Sequence, residues 1–520
     1  MTAVALSRPA RLRTARAMRL EIKHSPVVWA LPVLGVIFYF DTYRTATGLT
    51  PTWANHASVI TGHMLIYICV FGAGLAAWAG TREGRRRTGD LLATTARAAW
   101  ARQTTVLAAT AFWMVLAFLA ETAAIYVQTA SQATWGGPPL WPVAVGVLCT
   151  ITACAIGFTA GTLFPGRFTA PIIAVVVFVL EFVGFKAVDN TYDFRFSGGS
   201  YAVLTPGQGL PHLVEAGVFY GIPPDVSIAQ LIFMGGLLLV TAGLLALSPA
   251  TRVPGVRGLS LAAVGGKSLI LPAAAAVAVG VAASATAYSL AGTAQLSNLT
   301  GNWEIPALHD AASDRPAPYT PVCTSAAFPV CIHPAFDGYL DAVSAALQPA
   351  AAEVAGLPGA PVRAELAVDD ALPAAAGTTS VYAYSGTGAG SVGGSWFGGP
   401  PGEVINSIWT QGYQQSFLFW FVSGPAQNAS GNPDPAQQAV ADALLAKIGA
   451  PAPDLGPPQK ASAPAITQSS AAAAQAQASA AQISAAASRF GALPSAARRA
   501  WLTTHVAALR SGAIRLAQIP

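Results

Sequence analysis

The residues whose types and spacing could do chemistry are concentrated in one stretch, "TREGRRRTGDLLATTARAAW", at positions 81–100. It contains five arginines, interrupted by the carboxylates of Glu83 and Asp90. A guanidinium carries several N–H donors and a permanent positive charge, so such a run can dock an acidic surface of a partner. The alternative is that the arginines only hold a loop on the inner side of a membrane.

Motifs for catalysis are missing from the sequence. It has neither the H-E-x-x-H pair of metalloproteases nor the G-x-S-x-G motif of serine hydrolases. The stretch "VGGKS" resembles the end of a phosphate-binding loop, but Leu261 stands where the first glycine is needed. We therefore expect no enzyme activity, no ATP hydrolysis and no cofactor, and we interpret Lys267 as an anchor at the inner membrane surface.

Two cysteines could form a bridge. Cys323 and Cys331 lie eight residues apart in the polar, proline-bounded stretch "PVCTSAAFPVCIHP". A disulfide there indicates a compartment outside the cytosol, because such bonds rarely persist within it. The alternatives are two unrelated buried thiols, or a metal site that adds His333. Zinc usually takes four ligands, and no fourth is evident, so we predict no metal site.

Most of the chain before residue 292 consists of apolar segments, and these must position the arginine-rich stretch. Of the 520 residues, 53% are hydrophobic and 10% are charged, whereas soluble domains carry about 25% charged residues. A membrane-spanning helix needs about 20 mostly apolar residues. Seven segments fit this length, and they are residues 27–43, 58–80, 104–128, 140–163, 168–188, 227–247 and 269–291.

Charge predicts the orientation of these spans. With the N-terminus inside, the inner segments 1–26, 81–103, 164–167 and 248–268 carry 16 Lys and Arg residues, and the outer loops with their edges carry three. This bias predicts a cytoplasmic N-terminus and, after seven spans, an extracytoplasmic C-terminal half. The basic N-terminus is predicted either as an amphipathic helix on the inner surface or as a disordered tail.

Carboxylates inside a span are costly and suggest function. Glu121 lies about two thirds of the way through the third segment, and Glu181 lies near the outer end of the fifth. Glu121 is predicted either to line a polar cavity on a translocation path or to reach the outer interface. For Glu181 we favour the interface.

The order of residues in the opening stretch is more specific than its charge. Thr88 can cap a helix with Asp90 in its first turn, and the following residues run without proline or glycine into the third segment. This order resembles the segment between the second and third spans of type-2 ABC transporter permeases, the export class. The matching residues are Arg82, Glu83, Thr88, Gly89, Asp90, Leu91, Leu92, Ala93 and Thr94. Thr88-Gly89 reverses the family's usual order, and Thr95 stands where proline is common.

The resemblance covers roughly residues 8–250 and implies a function. It implies a permease subunit that moves a hydrophobic or amphipathic substrate across the cytoplasmic membrane, with ATP hydrolysed by a separate subunit. That subunit would dock on Arg82, Glu83, Arg85, Arg86, Arg87, Thr88, Asp90, Leu91 and Leu92. A second permease half is also implied, as a homodimer or heterodimer. The competing hypotheses are a membrane-anchored receptor or assembly factor and an unrelated secondary transporter. We expect membrane lipid, and not nucleic acid, as a further partner.

After the spans the composition becomes acidic: residues 292–460 hold 13 Asp and Glu residues against four Lys and Arg. The pattern predicts a helix at 334–355, a strand in "PVRAELAV", and either strand or buried helix in "SIWTQGYQQSFLFWFVSG". We therefore predict an α+β domain, similar to outer domains fused to actinobacterial permeases, with a flexible glycine-rich loop at 386–402. The C-terminal helix is predicted to dock on this domain or to lie on the membrane. The fold class is therefore an all-α polytopic helix bundle followed by a smaller extracytoplasmic α+β domain. We predict six divisions of the chain. They are a basic N-terminus at 1–26, the six-span permease domain at 27–250, the inner loop and seventh helix at 251–291, the α+β domain at 292–447, a linker or weak alanine-rich helix at 448–488, and a C-terminal amphipathic helix at 489–520.

Overall fold

The structure is a computed structural model of the chain. It describes residues 8–86, 99–187, 225–247, 267–291, 318–365, 378–380, 407–424, 434–449 and 470–520. These residues divide into two compact units: residues 1–47 with 51–317, and residues 48–50 with 318–520. The predicted outer loop before position 225 and the glycine-rich loop at 386–402 lie outside the described residues.

The first unit is built from helices. Two π-helical turns interrupt them, at Phe38–Tyr43 within the second helix and at Ile60–Met64 between α3 and α4. The helices are α1 (Arg8–Lys23), α2 (Val27–Thr47), α3 (Trp53–Val59), α4 (Leu65–Gly80), α5 (Arg82–Arg86), α6 (Ala99–Gln132), α7 (Leu140–Leu163), α8 (Thr169–Ala187), α9 (Asp225–Leu247) and α10 (Lys267–Ala291).

Five helical stretches in the described part of the chain are long and apolar enough to cross a membrane. They are Val27–Thr47, Leu65–Arg86, Ala101–Gln132, Leu140–Leu163 and Ser227–Leu247. The apolar parts of α8 and α10, Thr169–Val179 and Leu271–Ala287, are shorter. The protein is thus a helical membrane protein, and the count of seven spans stays a prediction.

Small residues let neighbouring helices approach closely. A Cβ on Gly157 of α7 would lie 2.0 Å from the carbonyl oxygen of Ala73, and one on Gly161 would lie 2.2 Å from that of Ala77. The residue numbers on both helices increase together from one contact to the next, so α4 and α7 are parallel. Between α9 and α10 the order reverses, since Gly236 meets Gly280 and Gly243 meets Ala273. These contacts are typical of membrane helices, which pack through small residues.

The second unit contains a four-stranded sheet in the order β1–β2–β3–β4. The strands are β1 (Val322–Cys323), β2 (Val330–Ile332), β3 (Arg363–Glu365) and β4 (Thr378–Ser380). The first pair is antiparallel, and the other two pairs are parallel. The helices are α11 (Leu340–Val354), α12 (Ser407–Ser423), α13 (Pro435–Lys447), α14 (Ser470–Ala492) and α15 (Ser495–Arg510). This agrees with the predicted mixture of helix and strand. Helix α14 includes residues 470–488, the C-terminal part of the range predicted as a linker or weak helix.

The C-terminal helix α15 packs within the second unit. The buried guanidinium of Arg498 donates two hydrogen bonds to Glu353 Oε1, at 3.2 and 2.7 Å. Arg510 donates to the carbonyl oxygens of Phe421 and Gly359, at 2.9 Å each. The helix ends before Gly512, whose positive φ of 69° closes the last turn. Of the two predicted positions for this helix, docking on the α+β domain is the one observed.

Candidate functional site at the basic end of the helix bundle

The arginine-rich segment begins directly after α4. Arg82 on α5 donates two hydrogen bonds to the carboxylate of Glu21 near the end of α1, at 3.1 Å to Oε2 and 3.0 Å to Oε1. Two parallel bonds between a planar guanidinium and a carboxylate fix relative orientation as well as distance. Glu21 was not among the predicted site residues, because nothing local in the sequence links it to Arg82.

Helix α1 is also held on α6. The indole Nε1 of Trp113 donates a hydrogen bond to the carbonyl oxygen of Ile22, at 2.8 Å. Residues 8–23 therefore form a helix packed against α6, while its place on the inner membrane surface stays a prediction. The exposed side chain of Leu20 on α1 is suited to contact lipid.

Two further contacts complete this end of the bundle. Glu83 lies 3.8 Å from Arg102 at the start of α6. A Cβ on Gly84 would lie 2.4 Å from the side chain of Pro165, in the loop between α7 and α8. Three segments predicted to be cytoplasmic, 1–26, 81–103 and 164–167, thus meet at one end of the helices. We call this region the basic end.

Arg85 and Arg86 form no ion pair with any residue that the structure describes. The guanidinium of Arg85 lies 3.5 Å over the ring centre of Trp78 and donates to the Trp78 carbonyl oxygen at 3.0 Å. Arg86 is exposed. Their charges are available to a ligand or partner. The remaining predicted docking residues, Arg87, Thr88, Asp90, Leu91 and Leu92, lie outside the described residues.

Glu121 lies apart from the basic end, inside the bundle. It is 8% exposed, and its Oε2 accepts a hydrogen bond from the hydroxyl of Tyr67 at 2.9 Å. Thr42 in turn donates to Tyr67, at 3.4 Å. Glu121 is therefore surrounded by helices, and its place on a translocation path stays a prediction. The side chain of Glu181 lies outside the described part.

A second buried polar group lies near one end of the same helices. His56 Nε2 donates to the carbonyl oxygen of Ala46 at 2.9 Å, and its Nδ1 lies within hydrogen-bond distance of Thr129 Oγ1. The sequence reasoning missed both Tyr67 and His56. Tyr67 lies inside the second apolar segment, 58–80, and His56 lies just before it; polar residues at such positions are too common to be singled out.

Cys323 and Cys331 form a disulfide. They face each other in the antiparallel β1–β2 pair, at a position between two ladder hydrogen bonds where Cα atoms come closest. His333 follows β2 and is fully buried; its Nδ1 accepts from the Ala335 amide at 3.0 Å, and burial lowers its pKa to about 4. Because the sulfurs are bonded to each other, they do not offer zinc two thiolates. No cluster that could hold a metal occurs among the described residues.

Chemically, the basic end joins three segments of the chain around a set of guanidinium groups, and Glu121 adds a bonded carboxylate within the spans. The first arrangement suits recognition of an acidic surface or a phosphate group. Comparison with known proteins adds no further guide: no family model, no curated protein and no solved structure matches this chain.

Proposed function

We propose that the chain is the membrane-spanning subunit of an ATP-driven exporter of the type-2 ABC class. A separate ATP-binding subunit docks on residues 82–92 of the basic end, which we call the docking segment. A second membrane half, as a homodimer or heterodimer, completes the pathway. The observation that carries the proposal is the convergence of α1, α5 and the 164–167 loop at one end of the helices. An ATPase that pushes on α5 would move α1 and α6 with it, because Arg82 is hydrogen-bonded to Glu21 on α1 and Glu83 forms an ion pair at 3.8 Å with Arg102 on α6.

The orientation belongs to the same proposal. The basic end is cytoplasmic in the plasma membrane, and the second unit is extracytoplasmic. Support comes from the excess of arginine at the basic end and from the Cys323–Cys331 disulfide in the second unit. Both features favour the same orientation, although they lie in different parts of the chain.

A hydrophobic or amphipathic substrate fits the interior of the spans. A cavity of about 310 Å³ lies between α6, α7 and α9, with Leu107, Ala155 and Leu238 among its apolar lining residues. Threonines 104, 159 and 241 add hydroxyl groups to it. Such a lining accepts an apolar body with a few polar groups. Glu121 is not among the residues that line this cavity.

The test is co-expression of the full chain with each candidate ATP-binding subunit of its own genome, followed by purification and measurement of ATP hydrolysis. Arg86→Glu should lower recovery of the complex about tenfold or more, because it replaces an attraction with a repulsion at the docking surface. Arg167→Glu is the matched control, since Arg167 is exposed in the 164–167 loop but lies outside the docking segment.

Two results would contradict the proposal. One is that no ATP-binding subunit forms a complex with the unmodified chain. The other is that both variants weaken the complex equally, which would indicate general charge and no specific docking. A membrane-anchored receptor or assembly factor would then be the better interpretation, since the second unit has a folded core of its own.

A further inference from the structure

A cavity of about 330 Å³ opens at the basic end, between the C-terminal end of α1, the end of α4 and the N-terminal part of α6. Its lining includes three arginines, one histidine and one carboxylate. These side chains are Arg82, Arg85, Arg86, His24 and Glu21. The cavity is therefore polar, although it lies beside apolar helices, and its charge can be assigned residue by residue.

Among the described lining residues, positive charges outnumber negative ones. Glu21 is the one acidic side chain among them, and Arg82 already donates to both of its oxygens. Glu83, the next acid along the chain, lies against Arg102. Arg85 and Arg86 remain without an acidic partner among the described residues. A cavity with two such guanidinium groups favours an anion.

The lining residues also have N–H donors that make no hydrogen bond to any described residue. A guanidinium has five N–H donors. One terminal nitrogen of Arg85 donates to the Trp78 carbonyl oxygen, and its Nε is buried without an acceptor among the described residues, so the second terminal nitrogen is the donor left for a ligand. His24 hydrogen-bonds through Nδ1 to the Leu20 carbonyl oxygen at 2.9 Å, which leaves Nε2 as its second polar atom. Several donors around one space match the oxygens of a phosphate group.

The surroundings favour a lipid as the source of that phosphate. Trp78 is 45% exposed beside the cavity, and tryptophan is enriched where headgroups meet acyl chains. Pro26 lines the cavity, and α2 begins at the next residue. Trp29, Val33 and Val36 on that helix are all more than half exposed. This apolar surface can contact an acyl chain whose headgroup occupies the cavity.

We infer that the cavity binds the phosphate headgroup of an anionic phospholipid of the inner leaflet. Arg85 and Arg86 supply the positive charge, and Trp29 and Val33 contact the acyl chains. A bound headgroup bridges α1 and α4, so it holds together the segments that the proposed ATPase would move. Recognition of the lipid needs no ATPase, and the test is made without one. Failure of this inference is therefore distinguishable from failure of the proposed function.

The experiment is native mass spectrometry of the detergent-purified full chain, incubated with equimolar phosphatidylglycerol and phosphatidylcholine. The unmodified chain should retain phosphatidylglycerol in preference. Arg85→Gln should lower that retention about fivefold, the effect of one basic residue near an anionic headgroup. Arg85→Lys should recover part of it. The control Arg167→Gln removes an exposed cation outside the cavity and should change nothing.

The inference is overturned if phosphatidylcholine is retained equally, or if Arg167→Gln lowers retention as much as Arg85→Gln. A soluble ligand is tested by adding millimolar inorganic phosphate. If phosphate displaces the lipid completely, the site takes free phosphate and the lipid assignment is wrong. The midpoint of thermal unfolding of each variant, measured by circular dichroism, separates loss of the site from loss of the fold. If both Arg85 variants unfold at a much lower temperature than the unmodified chain, Arg85 has a structural role and the inference is also overturned.

Discussion

Arg82 and Glu21 are 61 residues apart in the chain, yet they form the most directional contact at the basic end. Their side chains are 39% and 29% exposed, so the pair contributes at most about 1 kcal/mol to stability. Its effect is on geometry, because two parallel bonds set the angle between α1 and α5. The arginine run could be predicted from composition. Its partner could not, because that choice depends on which helices pack together.

Glu121 illustrates the same limit at a single residue. A carboxylate in an apolar segment is visible in the sequence, but its surroundings depend on other helices. The Tyr67 hydroxyl comes from α4 and supplies the hydrogen bond that makes burial of Glu121 tolerable. The carboxylate is therefore evident in the sequence, whereas its hydrogen-bond partner is evident only in the packed helices.

In the second unit, Asp442 on α13 makes a testable case. Burial raises its pKa from 3.8 to about 6, and its Oδ1 has no hydrogen-bond partner among the described residues. A carboxyl whose pKa is raised on folding destabilises the fold above that pKa, and the penalty fades as pH falls toward 3.8. Asp442→Asn should therefore stabilise the unit by about 1 kcal/mol at pH 7.5 and by nothing near pH 4.

The measurement is the thermal unfolding midpoint of the full chain at several pH values. Asp341→Asn is the control, since Asp341 is exposed in the first turn of α11 and its loss should not raise stability. His333, whose pKa is lowered, has the opposite pH dependence, but it is present in every variant and cancels from the differences. An equal gain from Asp442→Asn at pH 4 and 7.5 would contradict the argument.

Among the helices, the length of each apolar segment predicted where a helix lies in the sequence, but it did not predict which residues pack against neighbouring helices. The fourth predicted segment, 140–163, coincides with α7. The π-helical turns at Phe38–Tyr43 and Ile60–Met64 were not predicted, because no apolar period distinguishes them from α-helix. Nor could the sequence say which small residues face a neighbour, since glycine and alanine occur on every side of these helices.

Two adjacent glycines on α9 test the packing of α10. A Cβ on Gly236 would lie 2.6 Å from the Gly280 carbonyl oxygen, whereas one on Gly235 has nothing within 4 Å. Gly236→Ala should therefore destabilise the helix pair by about 1–3 kcal/mol through overpacking. Gly235→Ala should be neutral or slightly stabilising, because alanine favours helix over glycine.

The thermal unfolding midpoint of the detergent-solubilised chain should fall for Gly236→Ala and not for Gly235→Ala. Gly280→Ala should reproduce the effect from the opposite helix, since its Cβ would lie 2.4 Å from the Gly236 carbonyl oxygen. Equal tolerance of all three substitutions would show that α10 does not pack on α9 as described.

At the scale of the whole molecule, composition alone separates the chain into two parts. Apolar segments predicted the helical membrane unit. The acidic balance after them marked a second part, and its helix and strand patterns predicted a mixed α+β unit. The strands of the second unit were predicted only approximately: α12, interpreted as strand or buried helix, is a helix. A short apolar run does not distinguish the two states without its neighbours.

The proposed orientation predicts how the cysteines react in living cells. A membrane-impermeant maleimide should label Cys323 and Cys331 only after treatment with an impermeant reductant, because the disulfide protects both sulfurs. Cys69, Cys149 and Cys154 are buried among helices and should stay unlabelled in intact cells. The reaction is followed by mass spectrometry of the purified chain.

The double variant Cys323→Ser with Cys331→Ser is the control and should show no labelling in either condition. Labelling of the native pair only after the cells are permeabilised would place the second unit in the cytosol. That result would overturn the proposed orientation, and the seventh span with it.

The bonds of Arg498 to Glu353 also constrain how the protein is made. The two residues are 145 positions apart, so at about 5–20 residues per second Glu353 leaves the ribosome roughly 7–30 s before its partner. Throughout that interval the nascent second unit lacks the helix that covers it, and its apolar surface is open to chaperones and proteases. A premature stop codon between these positions would yield a chain with every predicted span and a second unit that cannot finish folding. Such a product should be recognised by quality control at the membrane surface, not by failure to insert.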